Sequence, residues 1–179
     1  MPLVDHDAPL LPDGKDWTWV LEQPCRECGF DAARVAPLEV AGRLRANAAA
    51  WPAVLAGAAV RDRPDPATWS PLEYGCHVRD VLRLFDVRLR LMLEQDDPLY
   101  ANWDQDATAV QEQYGTQDPA VVSYDLLAAA DVVCTRFEGL DEQQWQRSGR
   151  RSDGARFTVV SFARYLLHDP VHHLHDVTR

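Results

Sequence analysis

The sequence has no apolar run near the roughly 20 residues that a transmembrane helix requires, so no membrane span is expected. Lys15 is its only lysine, and arginine supplies the rest of its 18 basic residues. Set against 28 acids, they leave a formal charge of −10 at pH 7 and a pI near 4.9. A chain that acidic is repelled by phosphate backbones and anionic lipid, which argues against nucleic acid or a membrane surface as partner. Cysteine is scarce at 4 residues, and Cys76 and Cys134 fall inside apolar helical patterns, so a disulfide framework is not expected. The opening MPLVDHDAPLLPDGKDW carries acids and prolines where a secretory signal has a basic start and an apolar stretch. A cytoplasmic location is the expectation. Glycine-rich phosphate loops, G-x-S-x-G and H-E-x-x-H are all missing, and with them three common routes to catalysis. No segment reads convincingly as a strand, and no internal repeat is found.

What is present is helical. Hydrophobic residues make up 46% and charged residues 26% of 179, ordinary for one soluble domain. Residues 1–30 are rich in Pro, Asp and Trp without a sustained period, and read as an irregular arm held by Trp17, Trp19 and Phe30. From Pro37 onward, Leu38, Ala41, Leu44, Ala48 and Trp51 recur at helical spacing, with Pro52 expected to kink or shorten the element. Ser70-Pro71-Leu72-Glu73 carries a capping box with proline at the first helical position, opening a second helix predicted to run to about Glu94. The polar connection 95–118 is long enough to be functional or to hold a short helix of its own. Asp118-Pro119 opens a third helix closed by Gly139, and a fourth runs from about Thr158 to the end. Residues 31–179 are therefore predicted to be all-α, a four-helix bundle.

The histidines are unevenly placed. Four fall in HDPVHHLHDV near the end, and His77 sits early in the second helix. Imidazole is the commonest metal ligand, and residues at i and i+4 on a helix can share one ion. Two pairs qualify, His168 with His172 and Asp169 with His173. At about 100° per residue, Asp169 and His173 share the side of Phe162 and Leu166, while His168 and His172 join Ser161, Arg164 and Tyr165 on the polar side. The expected metal ligands are therefore His77, Asp169 and His173, although His77 alone would serve equally well as a packing residue. Cys25-Arg26-Glu27-Cys28-Gly29 is a C-x-x-C-G turn. It reads as thiols in a turn, with a zinc clasp and a redox pair as alternatives. A structural zinc needs four ligands, and the sequence offers no second C-x-x-C and only His6 nearby. The pair is expected to be dispensable for the bundle's metal.

WSPLEYGCHVRDVL, WDQD, LLHDPVHHLHDV and the arm motif WTWVLEQPCRECGFD together resemble the DinB-like superfamily of metal-binding four-helix bundles, especially its actinobacterial members. The resemblance extends from about Trp17 to Val177. It implies one histidine on the second helix and a pair four apart on the fourth, together holding a divalent ion. In the mycothiol-dependent maleylpyruvate isomerase relatives, the pair is an acid and a histidine with an aspartate three further on. Asp169, His173 and Asp176 match that arrangement, and His77 matches the first position. The resemblance implies a metal-dependent S-transferase or isomerase acting through a low-molecular-weight thiol, mycothiol being favoured. Zinc is the expected ion, with Ni2+ or Fe2+ as alternates, and the thiol is a co-substrate. Partners are then the small-molecule thiol and an electrophilic substrate, with a second copy of the chain as a further candidate. The alternative is a metal-stabilised structural or stress-response protein without turnover. Asp80 and Asp176 are candidates to orient the histidines, and residues 102–106 are expected to border the substrate pocket.

Overall fold

The computed structural model describes residues 17–179; His6 and Lys15 lie outside the described residues. The seven α-helices it contains are α1 (Val40–Ala48), α2 (Trp51–Leu55), α3 (Pro71–Glu94), α4 (Gln105–Gln111), α5 (Pro119–Glu138), α6 (Glu142–Trp145) and α7 (Val159–Thr178). Helix α1 packs on α5 and α7, and α3 packs on the same two. Successive long helices α1 and α3 thus stand at opposite corners of the bundle, and α3 and α7 are neighbours. That adjacency lets a residue of the second predicted helix meet residues of the fourth.

Local chemistry explains the boundaries. At the start of α3, Ser70 Oγ accepts from the Glu73 amide at 3.3 Å while Glu73 Oε2 accepts from the Ser70 amide at 2.8 Å. Glu73 is buried and also paired with Arg63. Burial alone would raise its pKa, but Arg63 and Ser70 hold it below the ordinary carboxylate range. Thr158 and Ser161 form the equivalent box on α7, and Asp118 caps α5 by accepting from the Ala120 amide at 2.8 Å. Pro52 acts as expected, since the first helix breaks into α1 and α2 with the proline in the first turn of the second piece. Helix α7 runs unbroken through Pro170, whose carbonyl accepts from Asn47 Nδ2 at 2.9 Å; Asn47 Oδ1 in turn accepts from Trp51 Nε1.

The bundle carries a small sheet that the sequence did not announce. Strand β1 (Leu99–Tyr100) runs parallel to β2 (Ser148–Arg151), which pairs antiparallel with β3 (Arg156–Thr158). Strands of two to four residues are too short to show an alternating pattern against the surrounding polar sequence. Their effect is positional: β3 feeds directly into the Thr158 cap of α7, and β1 leads into the 102–106 connection. Gly149 sits where β2 presses on the core. A Cβ there would lie 2.7 Å from Met92 Cγ and 3.0 Å from the Tyr100 ring, with Met92 itself fully buried. Gly149→Ala is expected to cost about 1–3 kcal/mol through overpacking, read as a lower midpoint in urea. An unchanged midpoint would show that Met92 repacks freely.

Candidate metal centre

Helices α3 and α7 bring His77, Asp169 and His173 together, with one ligand atom from each within 4.8 Å of the others. His77 Nε2 lies 3.3 Å and His173 Nε2 3.7 Å from the same Asp169 Oδ2. The donors also look incomplete. His77 Nδ1 and Asp169 Oδ1 are buried with no hydrogen-bond partner among the described residues. Two imidazole nitrogens converging on one carboxylate, beside orphaned polar atoms, fit a divalent cation better than a packed core. Burial would raise the Asp169 carboxyl, but His77 and His173 pull it down to about 2. The site therefore presents an anionic oxygen between two nitrogens at neutral pH.

Aromatic rings hold the set in place. Trp103 stacks on His77 at 5.5 Å between centroids, nearly parallel, and is itself fixed by donating from Nε1 to Thr108 Oγ1 at 2.7 Å. Trp69 covers His77 at 5.2 Å, and Tyr74 lies 4.9 Å from the His173 ring. Of the two candidate orienting acids, Asp176 lies beside the cluster, just beyond hydrogen-bond distance of His173, and Asp80 does not. Asp176 Oδ2 lies 3.6 Å from His173 Nδ1 and 3.5 Å from His172 Nε2. Asp80 instead accepts from Arg79 and from the Tyr114 hydroxyl at 2.7 Å.

Asp169 and His173 open into a cavity of about 410 Å3. Residues 102–106 line it, as expected, and so do Tyr165, Arg88 and Arg151. Asp104 has a second task, capping α4 by accepting from the Ala107 amide at 2.8 Å. Arg88 was not anticipated, yet its signal was present: it stands three after Phe85 and four before Met92 in the apolar stripe of α3. It is 5% exposed, donates to the Ala101 carbonyl at 2.7 Å and lies over the Tyr100 ring. No carboxylate pairs with it among the described residues. Burial lowers its pKa to about 10, which leaves it charged at neutral pH. Arg151, by contrast, pairs with Asp153 at 2.8 Å.

Helical phase puts His168 and His172 on the polar side of α7, yet the structure buries both. They are 4% and 6% exposed, because the arm folds over that side of α7. Trp17 packs on both rings and Phe30 on His168. Burial, with His172 alongside, lowers the pKa of His168 to about 4, so its imidazole is neutral. The same fold brings Cys25 and Cys28 to these histidines, correcting the view that the cysteine pair has no partners. Cys76 and Cys134 are fully buried, and burial pushes their thiols up to about 12 and 11, consistent with inert core positions. His175 belongs to neither cluster.

The DinB superfamily model matches residues 29–177, and the chain belongs to that superfamily. Among solved structures it is similar to YfiT from Bacillus subtilis, described as a probable metal-dependent hydrolase with an unusual four-helix bundle topology. The two are 17% identical and superpose with a TM-score of 0.68, over 88% of this chain and 90% of that one, so the likeness is one of fold. No curated protein matches the sequence. No helix among the described residues is long and apolar enough to cross a membrane.

His77→Ala and His173→Ala are each expected to remove one equivalent of bound metal, measured by elemental analysis after gel filtration, while His175→Ala removes none. Asp176→Asn should weaken binding about 10–100-fold, the usual effect of losing an orienting carboxylate. Full metal content in His77→Ala would show that the α3–α7 cluster is not a metal site.

Proposed function

We propose that the protein is a metal-dependent thiol S-transferase, with His77, Asp169 and His173 holding a divalent ion, Zn2+ favoured, and with mycothiol as the favoured thiol. One observation carries this reading. The candidate ligands number three, where a closed structural site would present four, and two of them, Asp169 and His173, line a cavity. A cation bound there supplies a Lewis acid that favours the thiolate of an entering thiol, or hydroxide from water. The rest falls to the chain. Trp103 and Trp69 fix the His77 ring and exclude water from its far side. Asp104, Gln105 and Asp106 offer acceptors to the hydroxyls of a sugar-bearing thiol beside the Trp103 wall. Arg88, buried and without an acid partner among the described residues, suits an anionic group on the electrophile, holding the reacting carbon within reach of the sulfur. In the reaction the thiol proton passes to solvent, the sulfur bonds to the electrophilic carbon, and the bond from that carbon to its leaving group breaks, the leaving group departing with the electron pair.

The fold neighbour's description favours a second reading, metal-dependent hydrolysis, in which water takes the thiol's place. An assay separates the two. Zinc-loaded protein is given mycothiol, bacillithiol or glutathione with a generic electrophile, and in parallel an activated ester without thiol. Thiol adduct formation that disappears in His77→Ala supports the transferase. Thiol-independent ester cleavage with the same dependence supports the hydrolase. Neither activity in fully loaded protein assigns the metal a structural role.

Asp104→Asn is expected to raise the KM for the thiol about three- to tenfold, the loss of roughly 1 kcal/mol of hydrogen bonding. Asparagine caps a helix as well as aspartate does, so metal content and melting temperature should stay the same. A lower melting temperature with unaltered kinetics would make the segment structural.

A further inference from the structure

We propose that Cys25, Cys28, His168 and His172 form a second metal site, a structural Cys2His2 centre that takes Zn2+ and pins the N-terminal arm to α7. Its four ligands are distinct from those of the bundle site, and the proposal does not depend on the reaction assigned there. One ligand atom from each of the four residues lies within 4.8 Å of all the others. Cys25 Sγ is 3.6 Å from His172 Nδ1. Zn–S and Zn–N bonds of about 2.3 and 2.0 Å at tetrahedral angles set sulfur and nitrogen about 3.5 Å apart, so this edge already has the spacing of a filled site.

The surroundings are those of a built site. Cys25 and both histidines are buried and Cys28 is half-buried. The thiols sit on a knuckle: the Gly29 amide donates to the Cys25 carbonyl at 2.9 Å and the Cys25 amide to the Phe30 carbonyl at 2.8 Å. Gly29 supplies the left-handed φ of +73° that closes the turn. His172 turns Nδ1 to the sulfur and Nε2 to two carboxylates, Glu27 at 3.3 Å and Asp176 at 3.5 Å. That is how acids orient a ligating imidazole, fixing the proton on the far nitrogen and the lone pair toward the ion. His168 Nε2 is buried with no hydrogen-bond partner among the described residues, a cost that a ligand bond would remove.

Two thiolates and two neutral imidazoles form a soft, borderline donor set suited to zinc. As the ion binds, the two thiol protons leave to solvent and the centre becomes neutral, which is what allows it to lie beneath Trp17 and Phe30. Four protein ligands leave no open position, so the role is to clamp the arm. Because Trp17 also lines the cavity beside the bundle site, the clamp would fix one wall of the substrate pocket.

The test uses full-length protein made in zinc-supplemented medium and purified without chelator. Titration of its thiols with a mercurial, in the presence of a zinc indicator, should release one zinc per chain as Cys25 and Cys28 react. Reaction without zinc release, or a Cys25–Cys28 disulfide in freshly purified protein, would overturn the proposal. With Co2+ as probe, the wild type should show a thiolate-to-cobalt charge-transfer band. The band should survive His77→Ala and be lost in Cys25→Ser/Cys28→Ser. His168→Asn should weaken the tetrahedral ligand-field bands at least twofold, and a spectrum unchanged by that substitution would contradict the histidine half of the site. The thiol titration needs no variant, so it decides the matter even if the double serine protein does not fold.

Discussion

The geometry of one helix face governs this structure. Over a turn and a half, α7 carries His168, Asp169, His172 and His173, four side chains of types able to ligate a metal, which a 100° step divides into two pairs. One pair faces α3 and meets His77. The other faces the arm and meets Cys25 and Cys28. Asp176 comes four after His172 and three after His173, and its carboxylate lies near a ring nitrogen of each. The two clusters therefore share an acid, and a shift of α7 along or about its axis would disturb both. The bundle's connectivity supports this arrangement by making α3 and α7 neighbours, while the Thr158 cap and the small sheet fix where α7 begins.

Much of this was legible in the sequence, and the reasons differ by element. The capping box at Ser70 fixed the start of α3, and so the turn on which His77 sits, because cap chemistry is local. The choice of Asp169 and His173 over their neighbours followed from phase relative to Phe162 and Leu166, both of which are buried. The burial of His168 and His172 was not legible from phase. Phase placed them on the polar side of the helix, but the arm that covers them comes from 147 residues earlier in the chain. Helical periodicity reports which face is apolar. It cannot report that a separate segment will cover the polar face with its own polar groups.

The cavity shows a similar division. WDQD could be placed near the His77 cluster because it follows the His77 helix, whereas the cavity wall depends on β2, a strand too short to recognise. Arg88 is the instructive case, a charge within an apolar stripe that pairs with no acid among the described residues. A buried guanidinium left unpaired costs stability, and its position at the cavity accounts for the cost if it meets an anion there. The overall charge of −10 makes such a localised cation more selective, since most of the surface repels the same ligands.

The central claim is that α7 divides its donors between two metal sites. Anomalous diffraction from crystals of zinc-loaded protein, recorded on both sides of the zinc edge, tests it most directly. The account predicts two anomalous peaks per chain, one among His77, Asp169 and His173 and one among Cys25, Cys28, His168 and His172. A single peak drawing ligands from both pairs, or a peak at neither cluster, would contradict it.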